Sequence, residues 1–223
     1  YDSREDIAYE VCRASILAHT DAEVYALRLD DLRERGLYWR APDPFSSTEF
    51  SFSRFLVPAL MNFKGRALFM DCDFLVRKDL KPLLDYTNPD VAVWVVKHDY
   101  KPTALTKMDG QAQRQYPRKN WSSFIVFNCA HPAVRALTAD VVNVAEPAYL
   151  HRFSWLNDSE IGELDKGWNY LEGWYAPQYD KLKAVHYTLG GPWFDHKMDC
   201  DFADLWLREK AEMALEEAHS IAA

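Results

Sequence analysis

The chain has 223 residues and a mass of 25.9 kDa, enough for one large domain with a sizeable core. Its 34 acidic and 26 basic residues give a net charge of −8, which excludes nucleic acid as the main partner because a phosphate backbone needs a basic surface. Hydrophobic residues make up 48% of the chain, which excludes a disordered protein, and the longest apolar run, residues 91–96, is too short to span a membrane.

Helices and strands are predicted to alternate along the chain. The predicted helices are residues 6–19, 55–63, 79–86, one that opens at Pro132, and 201–218; the predicted strands are residues 23–27, 66–70, 91–96 and 123–127. This order predicts an α/β fold with a mostly parallel central sheet flanked by helices, in a single domain over residues 1–223. Because residue 1 is not methionine, we expect a first strand of the domain to precede it.

Two aspartates follow the predicted strand at residues 66–70. Asp71 and Asp73 stand one residue apart, between this apolar run and the apolar residues 74–76. Ligands of open α/β sheets bind beyond the carboxyl ends of the strands, and two carboxylates there suit Mg²⁺ or Mn²⁺, which usually share such a site with substrate phosphates. The alternative is a solvated turn, in which aspartate is common. The apolar flanks favour the metal–phosphate interpretation.

A histidine from a distant segment is the candidate third ligand. His186 ends a short apolar run and precedes Gly190 and Gly191, whose backbone N–H groups can approach a phosphate closely. Taken alone, this pattern favours a core histidine before a turn. Together with the Asp-x-Asp strand end, it favours a metal ligand.

Four cysteines are far apart in the sequence and form no Cys-x-x-Cys pair: Cys12, Cys72, Cys129 and Cys200. This usage predicts reduced thiols rather than disulfides or a zinc site. The first residues do not have the pattern of a signal peptide. We therefore expect a cytoplasmic protein.

Five segments in order carry a family resemblance: residues 1–5, 53–58, 68–76, 122–128 and 186–193. Together they resemble the GT-A fold glycosyltransferases, most of all glycosyltransferase family 8 and related bacterial enzymes. Asp-x-Asp alone is a weak motif, but five segments in family order are more specific. The resemblance implies a Rossmann-like GT-A domain. It also implies metal-dependent transfer of a hexose from a nucleotide-sugar, with a UDP-sugar expected, to a glycan or small-molecule acceptor.

The resemblance assigns roles to individual residues. Asp71, Asp73 and His186 would bind Mn²⁺ or Mg²⁺, which neutralises the charge that grows on the departing diphosphate. Asp158 is the implied catalytic residue, acting on donor hydroxyls or on an oxocarbenium-like centre, although it could instead cap a helix. The implied substrate-binding residues are Asp2, Arg4, Arg54, Asp71, Ser122, Ser123, Gly190, Gly191 and Trp193. For Arg54 the alternative is a cation on the surface.

The chain departs from the family pattern at three places. Ser122 and Ser123 follow Trp121 where the family usually has Asn, then Ser or Ala, then Gly, and Ser159 stands where many members have Gln. The family's lysine after the glycine pair is absent, which removes a cation that Arg54 or Lys197 only partly replaces. Retention of the anomeric configuration is implied, and it fits the lack of an assignable nucleophile and acid pair.

Two other functions account for some of the same residues. A haloacid-dehalogenase-like phosphatase would use Asp71 as nucleophile and Asp73 as acid or base beside Mg²⁺. It predicts a small or β-branched residue where this chain has Leu75, and a downstream acidic pair that the sequence does not offer. The second alternative is a non-catalytic module that binds a nucleotide or a glycan, since a fold does not fix a function.

Overall fold

The computed structural model describes residues 1–42, 48–99 and 117–222. The chain divides into two compact units, and each contains one sheet. The first unit comprises Tyr1–Asp2, Tyr25–Asp71 and Pro82–Lys166, and the second comprises Ser3–Val24, Cys72–Lys81 and Gly167–Ala223.

The regular elements are short apart from the first and last helices. The α-helices are α1 (Asp6–His19), α2 (Leu29–Glu34), α3 (Val57–Leu60), α4 (Lys81–Leu84), α5 (Ala139–Val144), α6 (Pro147–His151) and α7 (Ala203–Ala222). The strands are β1 (Arg66–Met70), β2 (Phe74–Val76), β3 (Val93–Val95), β4 (Phe124–Asn128), β5 (Ile161–Glu163), β6 (Tyr170–Leu171) and β7 (Ala184–His186).

The first unit is built on a four-stranded sheet in the order β1-β4-β3-β5. Strand β4 is buried along its whole length and runs antiparallel to both β1 and β3, whereas β5 runs parallel to β3. Met70 at the end of β1 pairs with Phe124 at the start of β4. The residues that follow β1 therefore lie beside the residues that precede β4.

The second unit is built on a three-stranded sheet in the order β2-β7-β6. Strand β7 runs antiparallel to β2, with Phe74 opposite His186, and parallel to β6. Helix α1 packs on β2, where the buried Ser15 hydroxyl accepts the Val76 N–H at 3.0 Å. The core of this unit joins side chains of α1, the sheet and α7, among them those of Val11, Leu75, Val185 and Trp206.

The predicted α/β class is confirmed, but the prediction of a mostly parallel sheet is wrong because both sheets are mixed. Unbroken apolar runs report burial on both faces of a strand, and burial does not fix the direction of the neighbouring strand. The single domain, and a strand ahead of residue 1, stay predictions.

Some predictions of individual helices and strands are confirmed and others are wrong. The helix at residues 6–19 is confirmed to the residue, whereas residues 23–27, predicted as a strand, have no regular structure. The helix predicted at residues 55–63 is a 3₁₀ turn, Ser53–Leu56, followed by the single turn of α3. Among the helices of the described residues, none has the length and apolar character needed to span a membrane.

Candidate metal centre

In the second unit, the antiparallel pairing of β2 with β7 brings an aspartate and a histidine together. Asp73 directly precedes β2, and His186 is the last residue of β7. Asp73 Oδ2 lies 3.4 Å from His186 Nε2, and the side chains are 14% and 2% exposed. The Tyr187 N–H donates to the Asp73 carbonyl at 3.0 Å, so backbone hydrogen bonding continues past the strand ends and fixes both residues.

A buried asparagine fixes the other side of the imidazole. His186 Nδ1 lies 2.9 Å from Asn169 Oδ1, and because an amide oxygen only accepts, Nδ1 carries the proton. Nε2, the other ring nitrogen, faces the Asp73 carboxylate. A metal-bound histidine characteristically donates its other N–H in this way, which leaves the facing nitrogen to the metal.

The plane of the ring is fixed as well. Phe74 stacks on His186 with ring centroids 4.4 Å apart and an interplanar angle of 15°. These two residues are cross-strand partners in the β2–β7 register. Strand pairing, stacking and the Asn169 hydrogen bond thus hold the imidazole in one orientation before any ligand arrives.

In the first unit, the antiparallel pairing of β1 with β4 places Asp71 beside two serines. The Asp71 N–H donates to the Ser123 carbonyl at 3.0 Å, one step beyond the last strand pair. Arg54 Nη1 lies 2.9 Å from Asp71 Oδ1 and donates to the Ser122 carbonyl at 2.7 Å. The Arg54 and Asp71 side chains are 6% and 11% exposed. The interpretation of Arg54 as a surface cation is therefore wrong.

Asp71, Asp73 and His186 each offer one atom of a type that binds metal ions. Only Cys72 separates the two aspartates, so the backbone keeps their Cα atoms within about 7 Å. Carboxylate oxygens with one imidazole nitrogen suit a divalent cation such as Mn²⁺, whereas Mg²⁺ prefers oxygen alone. The donor set therefore fits a divalent ion.

A second histidine supports the serine side of Asp71. His151 Nδ1 lies 3.0 Å from Ser122 Oγ, and its ring packs against Phe52 and Phe55 with centroids 5.6 and 5.3 Å away. Removal of water from the ring lowers the pKa of His151 to about 3, and the nearby Arg54 cation contributes to this shift. The imidazole is therefore neutral at physiological pH.

A comparison with curated proteins decides the family. The chain is 50% identical over 218 residues to Protein CDI of Arabidopsis thaliana, and the match covers 95% of this chain and 84% of that protein. The chain belongs to the family of Protein CDI. No protein-family model matches it.

The solved structures show the fold of this CDI-family member. The apo structure of the bifunctional glycosyltransferase WbbM aligns over 95% of this chain with a TM-score of 0.62 and 19% identity, and the chain spans about half (48%) of that protein. LgtC, a galactosyltransferase in complex with donor and acceptor sugar analogues, aligns over 95% of this chain and 94% of its own, with a TM-score of 0.52 and 12% identity. The predicted GT-A fold is thereby confirmed.

The glycine pair of this CDI-family chain is required by the local structure. Gly190 has a φ of +89°, and its N–H donates to the Tyr187 carbonyl at 2.8 Å. A Cβ on Gly191 would lie 2.2 Å from the Trp193 ring, and that ring packs edge-on against Tyr187 at 5.8 Å. The turn and the tryptophan therefore require both glycines, and their role towards a phosphate stays a prediction.

Lys197, the expected partial substitute for the missing family lysine, forms an ion pair within the second unit. Its Nζ lies 3.8 Å from Oε2 of Glu172, whose side chain is only 4% exposed. Burial raises the pKa of Glu172, and the Lys197 ammonium opposes that rise. Glu172 also donates its N–H to the His186 carbonyl at 3.0 Å, which ties the Lys197 pair to the strand that carries His186.

The remaining predicted residues lie in varied surroundings. Asp2 is fully buried, and its carboxylate accepts the Glu49 N–H at 3.1 Å, whereas Arg4 is exposed in a 3₁₀ turn. The Ser123 hydroxyl donates to the Asn120 carbonyl at 2.7 Å. The binding roles of these residues stay predictions.

Asp158, the predicted catalytic residue, lies on an exposed turn. Its side chain is 88% exposed and forms an ion pair with Arg118. The helix cap that was its alternative role belongs to Asn157, which forms a capping box with Glu160. The acidic group is thus held by an arginine that sequence reasoning did not single out.

Sequence reasoning also missed Asn169 and His151. Asn169 directly precedes the apolar residues of β6, as Asp73 precedes those of β2. His151 offers no such signal, because its partner Ser122 lies 29 residues away in a different element.

Proposed function

We propose that this CDI-family chain is a metal-dependent glycosyltransferase. It would transfer a hexose from a nucleotide-sugar, a UDP-sugar by expectation, to a glycan or small-molecule acceptor. The observation that carries the proposal is the Asp73–His186 pair, whose carboxylate oxygen and imidazole nitrogen face each other 3.4 Å apart, an arrangement that a bound cation would bridge. The GT-A fold supports a nucleotide-sugar as the ligand that such a cation would serve.

Three residues of the chain would hold Mn²⁺ or Mg²⁺: Asp71, Asp73 and His186. When bound, the ion would neutralise the negative charge that grows on the departing diphosphate. Asn169 keeps the lone pair of His186 on Nε2. Arg54 holds the Asp71 carboxylate by a buried ion pair and so limits its rotation.

Asp158 would act on the donor sugar with retention of anomeric configuration. Its exposed carboxylate is paired with Arg118, so binding of the donor would exchange this guanidinium for a sugar hydroxyl. Exposed ion pairs contribute only about 0–1 kcal/mol of stabilising free energy, so little free energy is lost when the donor replaces Arg118. A cytoplasmic location is also part of the proposal, and so is a glycan of the bacterial envelope as the acceptor class that the family resemblance implies.

The experiment is a thermal-shift panel of UDP-, GDP- and TDP-sugars, each with and without Mn²⁺. Metal-dependent stabilisation by one nucleotide class is expected, because a ligand that binds only the folded state raises its stability. Asp73→Asn should lose this shift while keeping its apo melting temperature. The exposed Asp90 supplies the matched control, since Asp90→Asn makes the same change away from the candidate ligands.

Product analysis separates the remaining alternatives. NMR of the product should show retained anomeric configuration, and an inverted product would contradict the proposed mechanism. Metal-dependent nucleotide binding without transfer or hydrolysis would favour the non-catalytic module. Release of inorganic phosphate from simple phosphomonoesters would favour the phosphatase, for which the GT-A fold gives no support.

A further inference from the structure

The inference concerns His151, a residue with no assigned role. Its ring stands against two turns of the first unit. One is the 3₁₀ turn Ser53–Leu56, where the Phe55 ring meets His151 edge-on at 5.3 Å. The other is the 3₁₀ turn Trp121–Ser123, where the Ser122 hydroxyl lies 3.0 Å from His151 Nδ1.

These same two turns hold Asp71 from two directions. The first turn contributes Arg54, whose Nη1 lies 2.9 Å from Asp71 Oδ1. The second turn contributes the Ser123 carbonyl, which accepts the Asp71 N–H at 3.0 Å. The turns are also joined to each other, because Arg54 donates to the Ser122 carbonyl at 2.7 Å.

Arg54 has little freedom in this arrangement. Its Nε donates to the Phe50 carbonyl at 3.2 Å, and the guanidinium carbon lies 5.2 Å from the Phe50 ring centroid and 5.1 Å from that of Phe69. The hydrogen bond from Nη1 to the Ser122 carbonyl fixes the orientation of the guanidinium. A shift of Ser122 would therefore be transmitted to the guanidinium and from there to the Asp71 carboxylate.

We infer that His151 is a positioning residue that locks Ser122 and, through Ser122 and Arg54, fixes the Asp71 carboxylate for cation binding. The inference rests on the proposed function, in which Asp71 is a metal ligand. The neutral state of the ring fits this role, because a charged imidazolium would repel the neighbouring Arg54 and Arg40. Groups outside the ligand shell typically change metal affinity 10- to 100-fold, and the indirect link predicts a smaller factor.

Two substitutions separate positioning from packing. His151→Phe keeps a ring against Phe55 but removes Nδ1, whereas His151→Asn keeps a polar group near the Nδ1 position but removes the ring. The probe is Mn²⁺ alone, titrated by electron paramagnetic resonance, with the apo melting temperature measured in parallel. His131→Asn is the control, since His131 is a histidine at a helix N-terminus that accepts the Ala133 N–H.

We expect the two variants to rank in opposite orders for melting temperature and for Mn²⁺ affinity. His151→Phe should melt above His151→Asn yet bind Mn²⁺ about 3- to 10-fold more weakly than wild type, while His151→Asn should bind within about twofold. Ser122→Ala should weaken Mn²⁺ binding as much as His151→Phe does. The double variant of these two substitutions should bind Mn²⁺ no more weakly than either single variant, because both substitutions remove the same hydrogen bond. The His131→Asn control should change only the melting temperature.

Equal Mn²⁺ affinity in wild type and in both folded His151 variants would overturn the inference and leave the proposed function intact. Failure of the wild-type protein to bind Mn²⁺ at all would overturn the proposed function, and the inference with it.

Discussion

The hydrogen bond from His186 to Asn169 gives the sharpest prediction for the candidate metal centre. Asn169 is fully buried, and its Oδ1 accepts from His186 Nδ1 at 2.9 Å. In Asn169→Ala this acceptor is lost, so the imidazole proton is free to move to Nε2, where it blocks the lone pair that a cation needs. The ring also loses one of its orienting contacts.

The expected magnitude follows from the geometry. Loss of a partner outside the ligand shell costs about 10- to 100-fold in metal affinity, which corresponds to about 1.4–2.7 kcal/mol. The apo protein should also lose about 1–3 kcal/mol of unfolding free energy, because a buried donor is left without its acceptor. Asn169→Asp retains an acceptor at this position and should bind Mn²⁺ at least as tightly as wild type.

The assay is isothermal titration with Mn²⁺, combined with urea unfolding in the absence of metal. Asn143→Ala is the matched control: Asn143 is a buried asparagine whose Oδ1 accepts the N–H groups of Trp39 and Arg40 at 2.6 and 2.8 Å. It should lose at least as much stability as Asn169→Ala while its Mn²⁺ affinity stays at the wild-type value. An unchanged affinity in Asn169→Ala, or an equal loss in both variants, would refute the assigned tautomer.

Three further predictions test the surroundings. The pKa of His151 is lowered from 6.5 to about 3 in the folded protein, so its contribution to stability is present above pH 6.5 and is lost as the pH falls. Between pH 7.5 and 5 this loss is about 2 kcal/mol, and the stability gap between wild type and His151→Asn in urea unfolding should narrow by that amount; a constant gap would contradict the shift. Gly191→Ala should cost about 1–3 kcal/mol by overpacking, because its Cβ would lie 2.2 Å from the Trp193 ring, and a thermal melt equal to wild type would show that the ring yields freely. Burial raises the pKa of the Cys129 thiol to about 11, so a thiol reagent at pH 8 should label it only after denaturation, and mass spectrometry that finds it labelled in the native protein would contradict its burial.

Much of the candidate site was predictable from residue types and their order. Two aspartates directly after an apolar strand, and a histidine that ends another short apolar run, identified Asp71, Asp73 and His186 without a structure. The chemistry of carboxylate and imidazole ligands is a property of the side chains themselves, so it could be stated from the sequence. The helix at residues 6–19 was equally predictable because its signal is local.

Only the tertiary structure decided how these residues meet, and the deciding feature is strand direction. Apolar runs suggested parallel strands, yet β1 with β4 and β2 with β7 are antiparallel. In an antiparallel pair the end of one strand lies beside the start of its partner, so Asp71 meets the Ser122–Ser123 turn and Asp73 meets His186. Parallel pairing would have placed these groups at opposite edges.

The same reason explains the residues that sequence reasoning missed. Arg54 became a buried partner of Asp71, and Asn169 and His151 became orienting groups, through contacts between segments 17 to 68 residues apart. The sequence by itself determined which side chains were able to bind a cation. The long-range pairing of strands and turns decided which residues surround each of them, because this pairing depends on the packing of distant segments rather than on any local pattern.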